Sequence, residues 1–280
     1  MRHLGRSLKR REDARLLAGR GGFVEDVRLE GELHMAVVRS PVASGVLRGL
    51  DTVRAFELGG VHAVWTAEDV AGLDPLPMAG PEAEAFSVYR QRVIGGPQVR
   101  HVGEPIAVVF AESRAIALDA AERVEADIDH VTPVVDATRS PTAFDPDLNS
   151  TEIAEVETEF GQLETSIGRA DRVIDLALSI GRQAGMPLET RAALANLEPA
   201  SDTVLLWTGA ARDRRQRALV ARWLGRPESS VEIRVQDAGG SFGVRNGLSP
   251  EELLVCLAAV RLERPVRWTE TRGEHLVAAD

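Results

Sequence analysis

The stretch Val231-Glu-Ile-Arg-Val-Gln-Asp237-Ala-Gly-Gly-Ser-Phe-Gly-Val-Arg-Asn-Gly247-Leu-Ser249-Pro250-Glu251-Glu252-Leu-Leu-Val-Cys-Leu-Ala-Ala-Val260 decides the fold class. Val231, Ile233 and Val235 alternate with polar residues, which predicts a strand through Gln236. Asp237 to Gly247 is a loop with glycine at 239, 240, 243 and 247. Ser249 as N-cap, Pro250 in the first turn and Glu252 three residues after the cap then open a helix, because this triplet satisfies amides that a helix start leaves bare. Leu253, Leu254, Leu257, Ala258 and Val260 give that helix its apolar side, and Pro265 to Glu270 follows as another strand. A strand, a loop, a helix and a strand in that order are α/β text.

Working back from this stretch, Val173 to Ile180, Ala192 to Leu197 and Val204 to Thr208 read as strands. Arg212 to Leu224 reads as a helix closed by Gly225 and Pro227. Further towards the N-terminus, Leu33 to Val38, Gly60 to Thr66 and Pro105 to Ala111 read as buried strands, and Thr66 to Asp69 as the start of a short helix. A longer helix starts at Ser113, with Ile116, Ala117, Ala120 and Val124 on one stripe. Ala126 to Asp136 returns to strand-like text. Residues 137–161, rich in Pro, Thr, Ser, Asp and Glu, carry neither period and mark a linker. The expected organisation is an N-terminal arm over 1–20, one domain over 21–136, the linker, and a second domain over 162–280.

The composition fits an ordinary two-domain globular chain: 280 residues, 44% hydrophobic and 27% charged. The single cysteine, Cys256, precludes an internal disulfide and any four-cysteine iron–sulfur or zinc site built from this chain alone. A formal net charge of -10 repels a phosphate backbone, so nucleic acid is not an expected partner. No run of about 18 apolar residues occurs, so no membrane span is expected. The basic N-terminal stretch is followed by no apolar core of an export signal, which makes the cytoplasm the expected compartment.

Among candidate chemical groups, the glycine loop comes first. A strand feeding a glycine-rich loop at a helix start can cradle an anion on bare amides. Here no lysine follows the glycines, and Gly239-Gly-Ser-Phe-Gly243 lacks the dinucleotide spacing. Phe242 in its middle fits a wall beside a flat or metal-bound ligand, and a tight turn that lets two backbones approach is the competing reading. Six histidines, His3, His34, His62, His101, His130 and His275, show no chelating spacing, so no metal site is assigned to them. Cys256 falls on the apolar stripe of its helix and reads as a core residue. Glu189, two residues after Pro187, is either a buried acid or a turn residue, and the structural role is favoured.

The markers Gly5-Arg-Ser, Arg11-Glu-Asp-Ala-Arg15, Phe23-Val-Glu-Asp26, Val38-Arg-Ser-Pro41, Gly60-Val-His-Ala-Val64, Val102-Gly-Glu-Pro-Ile-Ala-Val-Val109, Pro187-Leu-Glu-Thr190, Gly239-Gly-Ser-Phe-Gly243, Arg264-Pro-Val-Arg-Trp268 and Arg272-Gly-Glu-His-Leu276 share one order along almost the entire chain. In that order they resemble the N-terminal part of the molybdenum-binding large subunit of the xanthine dehydrogenase and aldehyde oxidase family, including its carbon monoxide dehydrogenase-like members. The resemblance implies a mixed α/β, α+β fold: an α/β hammerhead domain followed by the first part of a molybdenum cofactor-binding domain. It also implies that Gly239, Gly240, Phe242 and Gly243 approach the molybdenum-pterin cofactor, the glycines permitting close contact.

The family reaction is hydroxylation of an aldehyde or N-heterocycle with water-derived oxygen, with electrons leaving through iron–sulfur clusters to FAD on other subunits. The resemblance places the base of that reaction in a C-terminal part of the large subunit, so no catalytic residue is expected in this chain. The implied partners are a C-terminal large-subunit chain, an iron–sulfur subunit and a flavin subunit. Two departures stand out. Ala211 occupies the place where relatives carry a glutamine near a metal ligand, and Asn246 lies near the place where a purine-binding subfamily needs a glutamate. The alternative to an enzyme component is a truncated, non-catalytic interaction module of the same family.

Overall fold

The computed structural model describes residues 4–76, 90–136, 158, 160–181, 183–210 and 214–279. The strands are β1 (Leu33–Arg39), β2 (Gly45–Asp51), β3 (Val61–Trp65), β4 (Gln98–Val99), β5 (Pro105–Ala111), β6 (Glu125–His130), β7 (Ala192–Glu198), β8 (Thr203–Thr208), β9 (Val231–Val235) and β10 (Val266–Thr269). The helices are α1 (Asp13–Leu17), α2 (Val53–Phe56), α3 (Arg114–Ala121), α4 (Leu163–Arg169), α5 (Arg214–Trp223), α6 (Pro250–Arg261) and α7 (Arg272–Ala278). Seven strands form one sheet in the order β3-β5-β1-β10-β7-β8-β9, and three form a second in the order β4-β2-β6.

All seven residues of β5 are buried, which is why Pro-Ile-Ala-Val-Val-Phe-Ala carries no polar side chain. The strand lies between β1 and β3, antiparallel to both, and is covered on both faces. On one face Ala117 of α3 packs with Ala36 and Ala111, while Ala120 packs with Val109. On the other, Val108 and Phe110 join Leu33, Met35 and Trp65 in the main core, with the Trp65 and Phe110 rings edge to face at 4.6 Å. Helix α6 closes this core from the opposite end of the sheet: Leu253 to Ala259 are all buried, because the helix packs on β7, β8 and β10. Its start carries the full capping box, the Ser249 hydroxyl accepting from the Glu252 amide and the Glu252 carboxylate accepting from the Ser249 amide at 2.7 Å.

The β1·β10 pair joins text from the two halves of the sequence. It is parallel, with Leu33 opposite Val266 and Met35 opposite Trp268. Arg267 of β10, 2% exposed, pairs with Glu32 at 3.0 Å and donates to the carbonyls of Val24 and Val27, so the segment before β1 wraps over β10. The strand nearest the C-terminus therefore sits mid-sheet, and β3 and β9 form the edges.

Several sequence expectations change. Val173 to Ile180 forms neither strand nor helix and joins no sheet among the described residues, and its large apolar side chains are exposed. Thr66 to Asp69 keeps its cap, with the Thr66 amide donating to Asp69 at 2.7 Å, but continues as turns instead of a helix. Strand β2 and helix α7 were not expected. The second carries its own capping box, Thr271 with Glu274. Of the 137–161 linker, only residues 158, 160 and 161 fall among those described.

Candidate functional site

Strands β8 and β9 run parallel, so their C-terminal ends open on the same side of the sheet, the usual place for a ligand in α/β proteins. The glycine loop leaves the end of β9 there. Its shape is set by two side chains, Glu189 and Arg245. The Gly239 amide donates to Glu189 Oε2 at 2.6 Å, and the Glu189 amide donates to the Gly239 carbonyl at 3.4 Å. Arg245 is 4% exposed and donates to the carbonyls of Gly240 (2.9 Å), Glu189 (2.8 Å) and Thr190 (2.9 Å) as well as to Glu189 Oε2 (3.1 Å). One buried guanidinium thus ties both strands of the loop to the segment 189–190.

The glycines meet specific needs. A Cβ on Gly239 would lie 2.5 Å from Glu189 Cβ, so only glycine allows these two segments to touch. Gly240 and Gly243 take φ of +114° and +102°, which side chains strongly disfavour. Gly209, at the end of β8, leaves room for Arg245, whose Nη1 would be 2.6 Å from an added Cβ. Phe242 is left-handed as well, at φ +49°, and its side chain is 76% exposed. Asp202 and Glu263 share this conformation, but in a bulky aromatic residue it is uncommon, which singles out Phe242 as a functional candidate. Among the described residues, the amides of Gly240, Ser241, Phe242 and Gly243 donate to no protein acceptor, so the loop faces outward with a run of bare donors.

The start of the loop is anchored from the N-terminal arm. Arg15 of α1 forms a two-pronged pair with Asp237, with Nη2 to Oδ1 at 2.7 Å. The Gly22 amide adds a bond to Asp237 Oδ2 at 2.7 Å, and the Asp237 amide donates back to the Gly22 carbonyl at 2.9 Å. The Arg15 hydrogen bond first and the Gly22 amide second hold the Asp237 carboxyl down at about 2. The arm is therefore not free: its first helix reaches the residue that precedes the glycine loop.

Behind the loop lies a layer of buried charge. Glu270, fully buried, accepts from Arg191 Nη2 at 2.6 Å and meets His275 Nδ1 at 2.9 Å, while His275 Nε2 meets the Gly185 carbonyl at 2.8 Å. Arg39 of β1 donates to Glu251 at 2.7 Å and to Glu274 at 3.1 Å. Burial opposes ionisation of Glu251 and Glu270. For Glu251 the charges of Arg39 and Arg191 outweigh it, and for Glu270 the bond and charge of Arg191 do, so both carboxyls sit below their ordinary range. Glu252 has no such pair. Burial raises its carboxyl, although it accepts from Thr208. Arg191, Thr208, Val244, Arg245 and Glu252 line a small cavity between this layer and the loop.

Of the residues singled out from sequence, Gly239, Gly240, Phe242 and Gly243 come together on one exposed loop, with Glu189 as its structural support. Ala211 lies outside the described residues. Cys256 is fully buried, and burial pushes its thiol up, away from thiolate chemistry. Among the described residues, no three His, Cys, Asp or Glu side chains are placed to share a metal ion. The supporting residues Arg245, Arg191, Arg15 and Asp237 are invisible in any local pattern. Each joins segments more than 50 residues apart, and the readable trace is indirect: Arg15 closes the marker Arg11-Glu-Asp-Ala-Arg15, and Arg191 follows the marker Pro187-Leu-Glu-Thr190.

Residues 18–131 match the family described as aldehyde oxidase and xanthine dehydrogenase, a/b hammerhead domain, and residues 144–280 match the molybdopterin cofactor-binding domain. The chain belongs to the aldehyde oxidase and xanthine dehydrogenase family. It is 36% identical to the nicotine 6-hydroxylase large subunit of Paenarthrobacter nicotinovorans over 98% of this chain and 34% of that relative. It is 30% identical to the carbon monoxide dehydrogenase large chain of Hydrogenophaga pseudoflava over 95% of this chain and 35% of that one. The crystal structure of quinoline 2-oxidoreductase from Pseudomonas putida superposes with a TM-score of 0.82 at 36% identity, covering 97% of this chain and 35% of the other. The chain thus spans about a third of the length of these family members.

Proposed function

We propose that this chain supplies the α/β hammerhead and the first part of the cofactor domain of a molybdenum hydroxylase. The boundary between the two falls within 137–161. The observation that carries the reading is the glycine loop: four consecutive amides with no acceptor among the described residues, two glycines at positive φ and an exposed, left-handed Phe242, all on a loop whose base is locked by buried groups. Such a surface fits a group that carries acceptor atoms and would come close to the backbone. Gly239, Gly240, Phe242 and Gly243 are the residues that would hold the molybdenum-pterin cofactor, Phe242 as a wall and the amides as donors.

When bound, that cofactor supplies transfer of a water-derived oxygen to an aldehyde or N-heterocycle and takes up the electron pair released. The chain contributes placement. Arg245 and Glu189 fix the loop, and the Arg15–Asp237 pair fixes its start. The base that takes the proton belongs to the two thirds of the family length not spanned here. Activity accordingly requires that C-terminal large-subunit part, an iron–sulfur subunit and a flavin subunit carrying FAD, assembled in the cytoplasm. No helix among the described residues is long and apolar enough to cross a membrane.

A second reading, a non-catalytic interaction module, draws on Ala211, which offers no amide where the family carries a glutamine. Metal analysis separates the two. Purified natively with its co-purifying polypeptides, the assembly is expected to contain close to one molybdenum per chain, and Gly240→Val is expected to lower that content at least tenfold. An assembly that retains its polypeptides and contains no molybdenum identifies the module.

A further inference from the structure

Ile174, Leu176, Leu178 and Ile180 fall on alternate positions of a segment that is in no helix, strand or turn, with Asp175, Ala177 and Ser179 between them. That is the pattern of a strand with one apolar face. The four apolar residues are 87%, 75%, 78% and 86% exposed, and no backbone bond joins residues 174–180 to any described residue. In water such a segment is costly twice over: its apolar face is hydrated, and its backbone presents an open edge. An occupant must satisfy both, which a helix cannot do because its own backbone groups are already paired. A sheet edge with an apolar face behind it does.

We infer that residues 174–180 are a donated strand that completes a sheet of the remaining two thirds of a large subunit, and that this pairing seats the glycine loop on its cofactor. One observation chooses that occupant and two more tie the segment to the loop. Family members matched over this whole chain are about three times its length, so most of the natural surroundings of this domain lie in that part. The segment is short enough to act on the loop directly, since Gly185 lies five residues beyond Ile180. Finally, Gly185 packs so closely on the loop that an added Cβ would meet the Phe242 carbonyl oxygen at 2.9 Å, and Pro187 lies against Gly240. Fixing the strand therefore fixes the segment on which the loop rests.

This inference rests on the function proposed above, but its failure is read separately. The experiment is hydrogen exchange by mass spectrometry on the isolated chain and on the native assembly, in which mass spectrometry also identifies a polypeptide carrying the C-terminal large-subunit sequence. Amides 174–180 are expected to exchange at close to unprotected rates in the isolated chain and at least 100-fold more slowly in the assembly. Leu176→Glu with Leu178→Glu is expected to weaken binding of that polypeptide at least tenfold without changing the melting temperature of the isolated chain, whereas Asp175→Asn leaves binding unchanged. Fast exchange in an assembly that contains molybdenum overturns the strand and leaves the function intact. Protection in an assembly free of molybdenum supports the strand and removes the function. Protection that grows with concentration of the isolated chain overturns the inference in favour of a second copy, and an assembly lacking the C-terminal polypeptide overturns it outright.

Discussion

Arg245 shows how much of the candidate site hangs on single side chains. Its guanidinium is almost completely buried and is the cation that faces Glu189, so removing it leaves the Glu189 carboxylate without its counter-charge, held by the Gly239 amide, and the carbonyls of Glu189, Thr190 and Gly240 without this donor. Stranding a buried partner in this way costs about 3–5 kcal/mol. Arg245→Ala is expected to lose stability of that order in urea unfolding, and Arg245→Lys to recover part of it, since a single ammonium cannot reproduce the planar fork. Asp237 holds the arm through its hydrogen bonds to Arg15 and to the Gly22 amide, with the charge of Arg15 adding to them. Its carboxyl titrates at about 2 when folded against an ordinary 3.8, so the ionised form is preferred in the folded chain. The stability it lends is present above pH 3.8 and is lost as pH falls towards about 2. Protection of the Gly22 amide, which donates to Asp237, is expected to fall across that window and to be absent at all pH values in Asp237→Ala. Retention of full protection in that variant would show that the arm is held by something other than this pair.

At the scale of elements, the sequence was most readable where one rule acted alone. The unbroken apolar run of β5 and the Ser249-Pro250-Glu251-Glu252 start of α6 were both plain, because local burial and local capping each leave a direct imprint. Strand β2 was hidden because Gly45 and Gly49 interrupt Val46, Leu47 and Leu50, and its burial pattern is mostly intermediate or exposed. Helix α7 was readable in principle, since Thr271 and Glu274 form a capping box, but Gly273 inside the first turn weakens the signal. Val173 to Ile180 is the opposite case: its period is that of a strand, and what the described residues lack is the neighbouring sheet. The glycine loop was legible as a candidate, whereas its supports were not. Arg245 reaches back to Glu189 and Arg15 forward to Asp237, and pairings across such separations follow from the fold and leave no spacing to read.

For the whole molecule, composition along the chain and topology disagree in an instructive way. Residues 137–161 look like a break between two domains, yet β1, β3 and β5 from before it and β7 to β10 from after it make one sheet. Arg39 adds a buried link, joining β1 to the first turns of α6 and α7 through Glu251 and Glu274. The two halves are therefore expected to unfold together, in one calorimetric transition, and Arg39→Ala to lower that single transition without splitting it. Two separated transitions would show that the shared sheet does not couple them. The position of β10 also matters before the protein is finished. Leu33 must wait for Val266 before its strand has a neighbour on that side. At the roughly 5–20 residues per second of synthesis, that is a delay on the order of 10–50 seconds. Throughout it, the nascent hammerhead exposes an open strand edge at the ribosome, so this polypeptide is a natural client for chaperones that shield emerging chains.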